Sequence, residues 1–206
     1  MDWTLDAAEA RVLGALLEKE IATPDYYPMS LNALVNACNQ KSNREPVVNY
    51  GDDTVEAALT GLRATGLAVR ITGDSRVPKH AQRFTEKFNL GRREAAILCV
   101  LLLRGPQTTG ELRGRTERLH QFDDLDSVES TIARLAEMEF VTTLPRQAGY
   151  KEPRHAHLLS GPVSTVEDAE PASNDRGPSD RDRIAALETV VEDLQRQFEE
   201  FRKRFE

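Results

Sequence analysis

A set of residues near the start of the chain recurs near its middle. Leu5, Glu9, Val12, Leu13, Leu16 and Leu17 reappear as Leu90, Glu94, Ile97, Leu98, Leu101 and Leu102, each 85 positions later. The apolar members fall at helical spacing, so each set is one face of a first helix. Ser30 and Leu34 become Thr108 and Leu112 at an offset of 78, with each hydroxyl placed to cap a short second helix. Val55, Glu56, Leu59, Leu62 and Leu67 become Val128, Glu129, Ile132, Leu135 and Phe140 at an offset of 73. The shrinking offsets put seven extra residues in the first inter-helix loop of the first copy and five in its second. Two copies of one domain fit this better than one large domain.

Each third helix opens with an acidic pattern, Asp53 three residues before Glu56 and Asp126 three before Glu129, which predicts capping boxes. A β-prone run follows each helix, Leu67 to Thr72 and Phe140 to Leu144, then a polar loop and a return strand near Gln82 to Thr85 and near Arg154 to Leu159. Three helices and a hairpin are the order of a winged helix. The predicted fold class is therefore mainly α with small β-hairpins (α+β), as tandem winged-helix domains at 1–89 and 90–160. Between them, Cys38-Asn39-Gln40-Lys41-Ser42-Asn43-Arg44-Glu45-Pro46-Val47, Ser75-Arg76-Val77-Pro78-Lys79-His80 with Gln82-Arg83-Phe84, and Leu101 to Thr108 with Gly110-Glu111-Leu112-Arg113 resemble the YceH-like family of bacterial proteins. The resemblance covers roughly residues 4–160. It implies paired winged-helix domains and carries no assigned biochemical role.

Beyond Ser160 the pattern changes. Residues 161–183 are rich in Pro, Ser and acidic side chains and predict a disordered linker. Ile184, Leu187, Val191, Leu194, Phe198, Phe201 and Phe205 then alternate spacings of three and four, so 184–206 reads as a coiled-coil helix. Self-association through this stripe is the expectation, and docking on the chain's own domains the alternative. The longest apolar run, Ala95 to Leu103, has nine residues, too short for a span of about 20. With an acidic start and two distant cysteines, a cytoplasmic location is expected.

The net charge of −7 divides as −2 over residues 1–89, zero over 90–160 and −5 over 161–206. Most of the acidity therefore belongs to the tail. The paired domains keep three basic groups that suit phosphate contact: the loop residues Gln40, Lys41, Asn43 and Arg44; the wing residues Arg76, Lys79 and Arg83; and Arg113, Arg115 and Arg118 of the second helix of copy two. Against the usual docking, in which a third helix enters the major groove, stand Asp52, Asp53 and Glu56 in one copy and Asp123, Asp124, Asp126 and Glu129 in the other. A backbone-dominated contact with double-stranded DNA is the expectation. A protein-docking scaffold is the rival, suggested by Ala57, Thr60, Gly61 and Ala64 on the outer side of the first third helix.

The chain has no phosphate-cradling glycine loop, no H-E-x-x-H and no nucleophile elbow. No enzyme activity, metal or cofactor is expected. Cys38 and Cys99, among apolar neighbours, read as buried small hydrophobes. His80 reads as a solvated loop residue, and His155 and His157 as outward residues of a wing strand.

Overall fold

A computed structural model describes residues 3–72, 77–146 and 152–162, all within one compact unit, Met1–Ser164. In chain order the elements are α1 (Ala7–Ala22), β1 (Met29–Ser30), α2 (Leu31–Cys38), α3 (Asp52–Ala64), β2 (Ala68–Ile71), β3 (Lys79–Gln82) and α4 (Phe84–Lys87). They continue with α5 (Arg92–Arg104), α6 (Thr109–Thr116), α7 (Leu125–Glu137), β4 (Val141–Thr143) and β5 (His155–His157). This is a mixed α+β fold with small antiparallel sheets. Three helices followed by an antiparallel hairpin occur once before α4 and once after it. The linker predicted at 161–183 and the coiled coil at 184–206 lie outside the described residues, apart from Gly161 and Pro162.

Local chemistry starts most of these helices. Asp6 accepts from the Glu9 backbone N–H at 2.7 Å, and Glu9 reaches back to the Asp6 N–H at 2.9 Å. Ser30 caps α2 through Ala33, and Thr108 forms a reciprocal box with Glu111 on α6. The third helices correct the sequence expectation. Helix α3 begins at Asp52 behind Gly51, with no side-chain cap, so Asp53 sits inside the first turn. On α7 the cap is Asp124, boxed with Ser127, two residues before Asp126. The carboxylates in the first turns, Asp52 and Asp53 on α3 and Asp126 on α7, act on the helix dipole alone.

The core is continuous across both halves. Helix α5 is buried at every position from Glu94 to Leu103, with α1 packed against it. The close approach depends on Gly14, where a Cβ would stand 2.9 Å from the Leu103 side chain and 3.0 Å from the Leu102 Cβ. Gly14 and Cys99 are partners at the offset of 85, and the Cys99 thiol lies 3.5 Å from the Gly14 carbonyl. Phe84, Phe88 and Phe140 form a second bridge, with ring centroids 5.0 to 5.4 Å apart. Both cysteines are buried and free, and burial pushes the Cys38 thiol up to about 12 and the Cys99 thiol higher still.

The sheets revise the histidines. The return strand begins at Lys79 and ends at Gln82, three residues earlier than expected, and β1 adds to its outer edge in the order β1-β3-β2. His80 thereby faces Met29 across the ladder and is buried at 6% exposure. His155 makes the same kind of bridge to Gln107 and is buried, with Thr109 Oγ1 and Thr143 Oγ1 each 3.1 Å from its ring nitrogens. His157, two residues on, shares that side of the strand and is half-buried. None is a solvated wing residue, because the strand face that carries them packs inward.

Candidate functional site

The loop after α2 looks from its sequence like a set of free polar contacts. Most of those side chains hold the loop itself. Asn39 donates to the Tyr50 carbonyl and accepts from the Tyr50 N–H, both at 2.8 Å. Arg11, buried on α1, donates to the Pro46 carbonyl at 2.6 Å and the Cys38 carbonyl at 3.4 Å. Arg44 is turned inward, its side chain fully buried. It donates to both Glu18 oxygens at 3.3 and 2.7 Å, and its Nε and Nη2 reach the Ala37 carbonyl at 3.1 and 2.8 Å. Gln40 accepts from Arg44 at 3.1 Å and from Lys19 at 3.3 Å. Burial alone raises the Glu18 carboxyl, and the hydrogen bonds and charge of Arg44 outweigh it, so Glu18 is held below the usual carboxylate range. Arg44 thus organises the loop and is removed from the contact surface for which its sequence position suited it.

Lys41 and Ser42 remain exposed at the tip. Asn43, in the left-handed region at φ 58°, accepts from Arg104 Nη1 at 3.1 Å. This contact joins the loop to the end of α5 and closes one side of a cleft of about 370 Å³. Five basic side chains line it: Lys19, Lys41, Arg104, Arg115 and Arg118. Helix α6 supplies Arg115 and the turn after it Arg118, because Leu112, Thr116 and Leu119 point into the core and leave positions 115 and 118 outside it. Val100, Leu103 and Leu119 form an apolar floor.

The electrostatic balance is positive. Glu18 is offset by Arg44 behind it, and Glu111 pairs with Arg115 at 3.1 Å. The last turns of α1 and α5 also border the cleft, each end contributing about half a negative charge. An excess of about three positive charges survives these terms. Desolvation, followed by repulsion from Arg115, lowers the Arg104 guanidinium from its ordinary value.

The structure therefore brings Gln40, Lys41, Asn43 and Arg115 to one site. Arg113 is exposed and donates to the Asp123 carbonyl at 2.8 Å. Lys79 is exposed on β3, and Arg83 is paired with Glu86; neither lines the cleft. Arg76 lies outside the described residues, as do the seven apolar positions of the tail. Lys19 and Arg104 were not singled out from the sequence. The signal was present, since they are equivalent at the offset of 85, each a basic residue ending a first helix. Among the described residues, no group of three His, Cys, Asp or Glu could hold a metal, and no helix is long and apolar enough to cross a membrane.

Residues 5–150 match the family model described as "Protein of unknown function, DUF480". A "UPF0502 protein" of Solibacter usitatus is 71% identical over 206 residues, covering all of both chains. Another from Opitutus terrae is 54% identical over 91% of this chain and 81% of its own. A third, from Aeromonas hydrophila, is 49% identical over 97% of this chain and 95% of its own. The model match across most of the helical unit and full-length relatives at this identity place the chain in the DUF480/UPF0502 family of uncharacterised bacterial proteins.

Proposed function

We propose that the chain is a non-enzymatic, tandem winged-helix protein, with domains at 1–89 and 90–160, that contacts the backbone of double-stranded DNA. The observation that carries this is the convergence of the Lys41 loop with Arg115 of α6 and Arg118 of the turn after it on one positively charged edge. Arg113 and Lys79, both exposed, and Arg83 and Arg76 are further phosphate contacts in this proposal. Asp52, Asp53 and Glu56 on α3, and Asp124, Asp126 and Glu129 on α7, are exposed and repel phosphates. The contact therefore runs through the loop, α6 and the wing, with neither third helix in the major groove. The two buried thiols, their pKa values raised by burial, are poorly suited to act as nucleophiles.

Fluorescence anisotropy of random duplex DNA across a salt series tests this. Binding is expected to weaken steeply with salt, and the double variant R113Q/R118Q is expected to lower the log–log slope by about 2, near one unit per phosphate contact. A flat signal at low salt overturns DNA binding. The second reading, a protein-docking scaffold, is favoured by Ala57, Thr60 and Ala64, exposed along α3 where another backbone approaches closely.

Self-association through residues 184–206 belongs to the same proposal. Light scattering of the full chain is expected to give a larger mass than a chain ending at Ser160, and equal masses overturn it.

A further inference from the structure

Two features of the cleft exceed what a surface for polyanions requires. Its floor is apolar, with Val100, Leu103 and Leu119 each at 6% exposure or less. A volume of about 370 Å³ falls at the lower end of the range of small-molecule sites, roughly 300–1,000 Å³. A duplex, with its phosphates on a broad convex surface, meets the rim at Lys41 and Arg118 and leaves that floor uncovered.

The second feature is Arg104. Its Nη1 is spent on Asn43, while its Nε is buried and has no hydrogen-bond partner among the described residues. A buried donor left unpaired costs about 1–3 kcal/mol, more for a charged group. Arg115, another lining guanidinium, adds like-charge repulsion. An oxyanion in the cleft would quench that repulsion and accept from those guanidinium nitrogens that stay accessible, while the buried Nε stays out of its reach. Among oxyanions, phosphate presents enough acceptor oxygens for two guanidinium groups and an ammonium at once.

We infer that the cleft binds a small phosphate-bearing ligand, its phosphate held between Arg104, Arg115 and Lys41 and its apolar body lying over Val100, Leu103 and Leu119. This site stands independently of DNA binding, because it rests on the apolar floor and on the gathering of Arg104, Arg115 and Lys41 around it. Its occupant neutralises charges that border the proposed DNA surface, so a bound ligand weakens any backbone contact made there.

Isothermal titration of the full chain with inorganic phosphate, phenyl phosphate and phenol, at ionic strength matched with sodium chloride, tests the assignment. Phenyl phosphate is expected to bind saturably and at least tenfold more tightly than inorganic phosphate, with no saturable heat from phenol. R104Q and R115Q are expected to weaken phenyl phosphate at least tenfold. K41Q, at an exposed position where folding is not at stake, is expected to weaken it at least threefold, and R146Q, at an exposed position outside the cleft, to leave it unchanged. Absence of saturable binding by phenyl phosphate, or equal affinity in wild type and K41Q, overturns the site. Equal affinity for phenyl and inorganic phosphate overturns the apolar subsite. Anisotropy with duplex DNA on the same samples reads the other proposal separately.

Discussion

Replacing Arg44 with methionine is expected to destabilise the protein by about 3–5 kcal/mol, the cost of breaking a buried ion pair from one side. The substitution removes both partners of the Ala37 carbonyl and leaves Glu18 with Lys19 alone, at 3.1 Å. Methionine is of similar length and fills the space, so a packing defect contributes little. The double variant R44M/E18M is expected to recover most of the loss, because it removes the stranded carboxylate as well. Urea denaturation of the two single variants and the double variant measures the coupling. Additive losses would show that Arg44 and Glu18 do not act as a pair. A free phosphate-contacting arginine predicts the opposite pattern, with stability unchanged and DNA affinity reduced.

Stability is also expected to fall on mild acidification. Burial is the main cause that lowers the pKa values of His80, His155 and His157 below the ordinary 6.5; Arg63 and Arg70 add to it at His80, where Glu56 opposes, and Glu129 opposes it at His155. His157 reaches about 4, and its Nδ1 is buried without a hydrogen-bond partner among the described residues. A histidine whose folded pKa is depressed binds its proton first in the unfolded chain. Its contribution is therefore fully present above about pH 6.5 and is lost as the pH falls towards 4. For His157 alone that interval corresponds to about 3 kcal/mol. Urea midpoints between pH 7 and 4.5 are expected to drop steeply in the wild type and less in His157→Leu, which removes both the proton site and the unpaired nitrogen. Parallel profiles would mean that His157 titrates as it does in the unfolded chain.

These two expectations rest on side chains that look unremarkable in the sequence. Arg44 sits in a run of polar residues between Asn39 and Glu45, where exposure is the ordinary outcome. Its partner Glu18 is 26 positions away, and no local pattern joins them. His80 and His155 likewise lie in polar segments. Their burial follows from which face of a short strand meets the core, and a shift of one residue reverses that choice. Here the return strand begins three residues before the expected position, which carries His80 onto the ladder opposite Met29.

The helix starts divide in the same way. Ser30 and Thr108 cap as their sequence positions predict, because a cap is settled within three residues. The boxes expected at Asp53 and Asp126 fail for want of a phase: several carboxylates stand in a row, and packing of Val55, Leu59 and Leu62, or of Val128, Ile132 and Leu135, decides which residue becomes the first of the helix.

What the sequence determined by itself is the order of helices and hairpins, though not every boundary. The offsets of 85, 78 and 73 locate six helices and two hairpins, because helical and strand periodicities are local properties of the chain. The segmental charge separates a near-neutral pair of halves from an acidic tail. Only the tertiary structure decided where the charges go. Gly14 lets α1 and α5 close on each other, and that contact lines their last turns along one cleft with Lys19 and Arg104, where α6 and the turn after it add Arg115 and Arg118. It also drew Arg44 inward, where the Glu18 carboxylate and the Ala37 carbonyl offset the cost of taking the guanidinium out of water. The repeat was therefore legible as a pattern of helices, while the site it encloses depended on contacts between residues up to about a hundred positions apart.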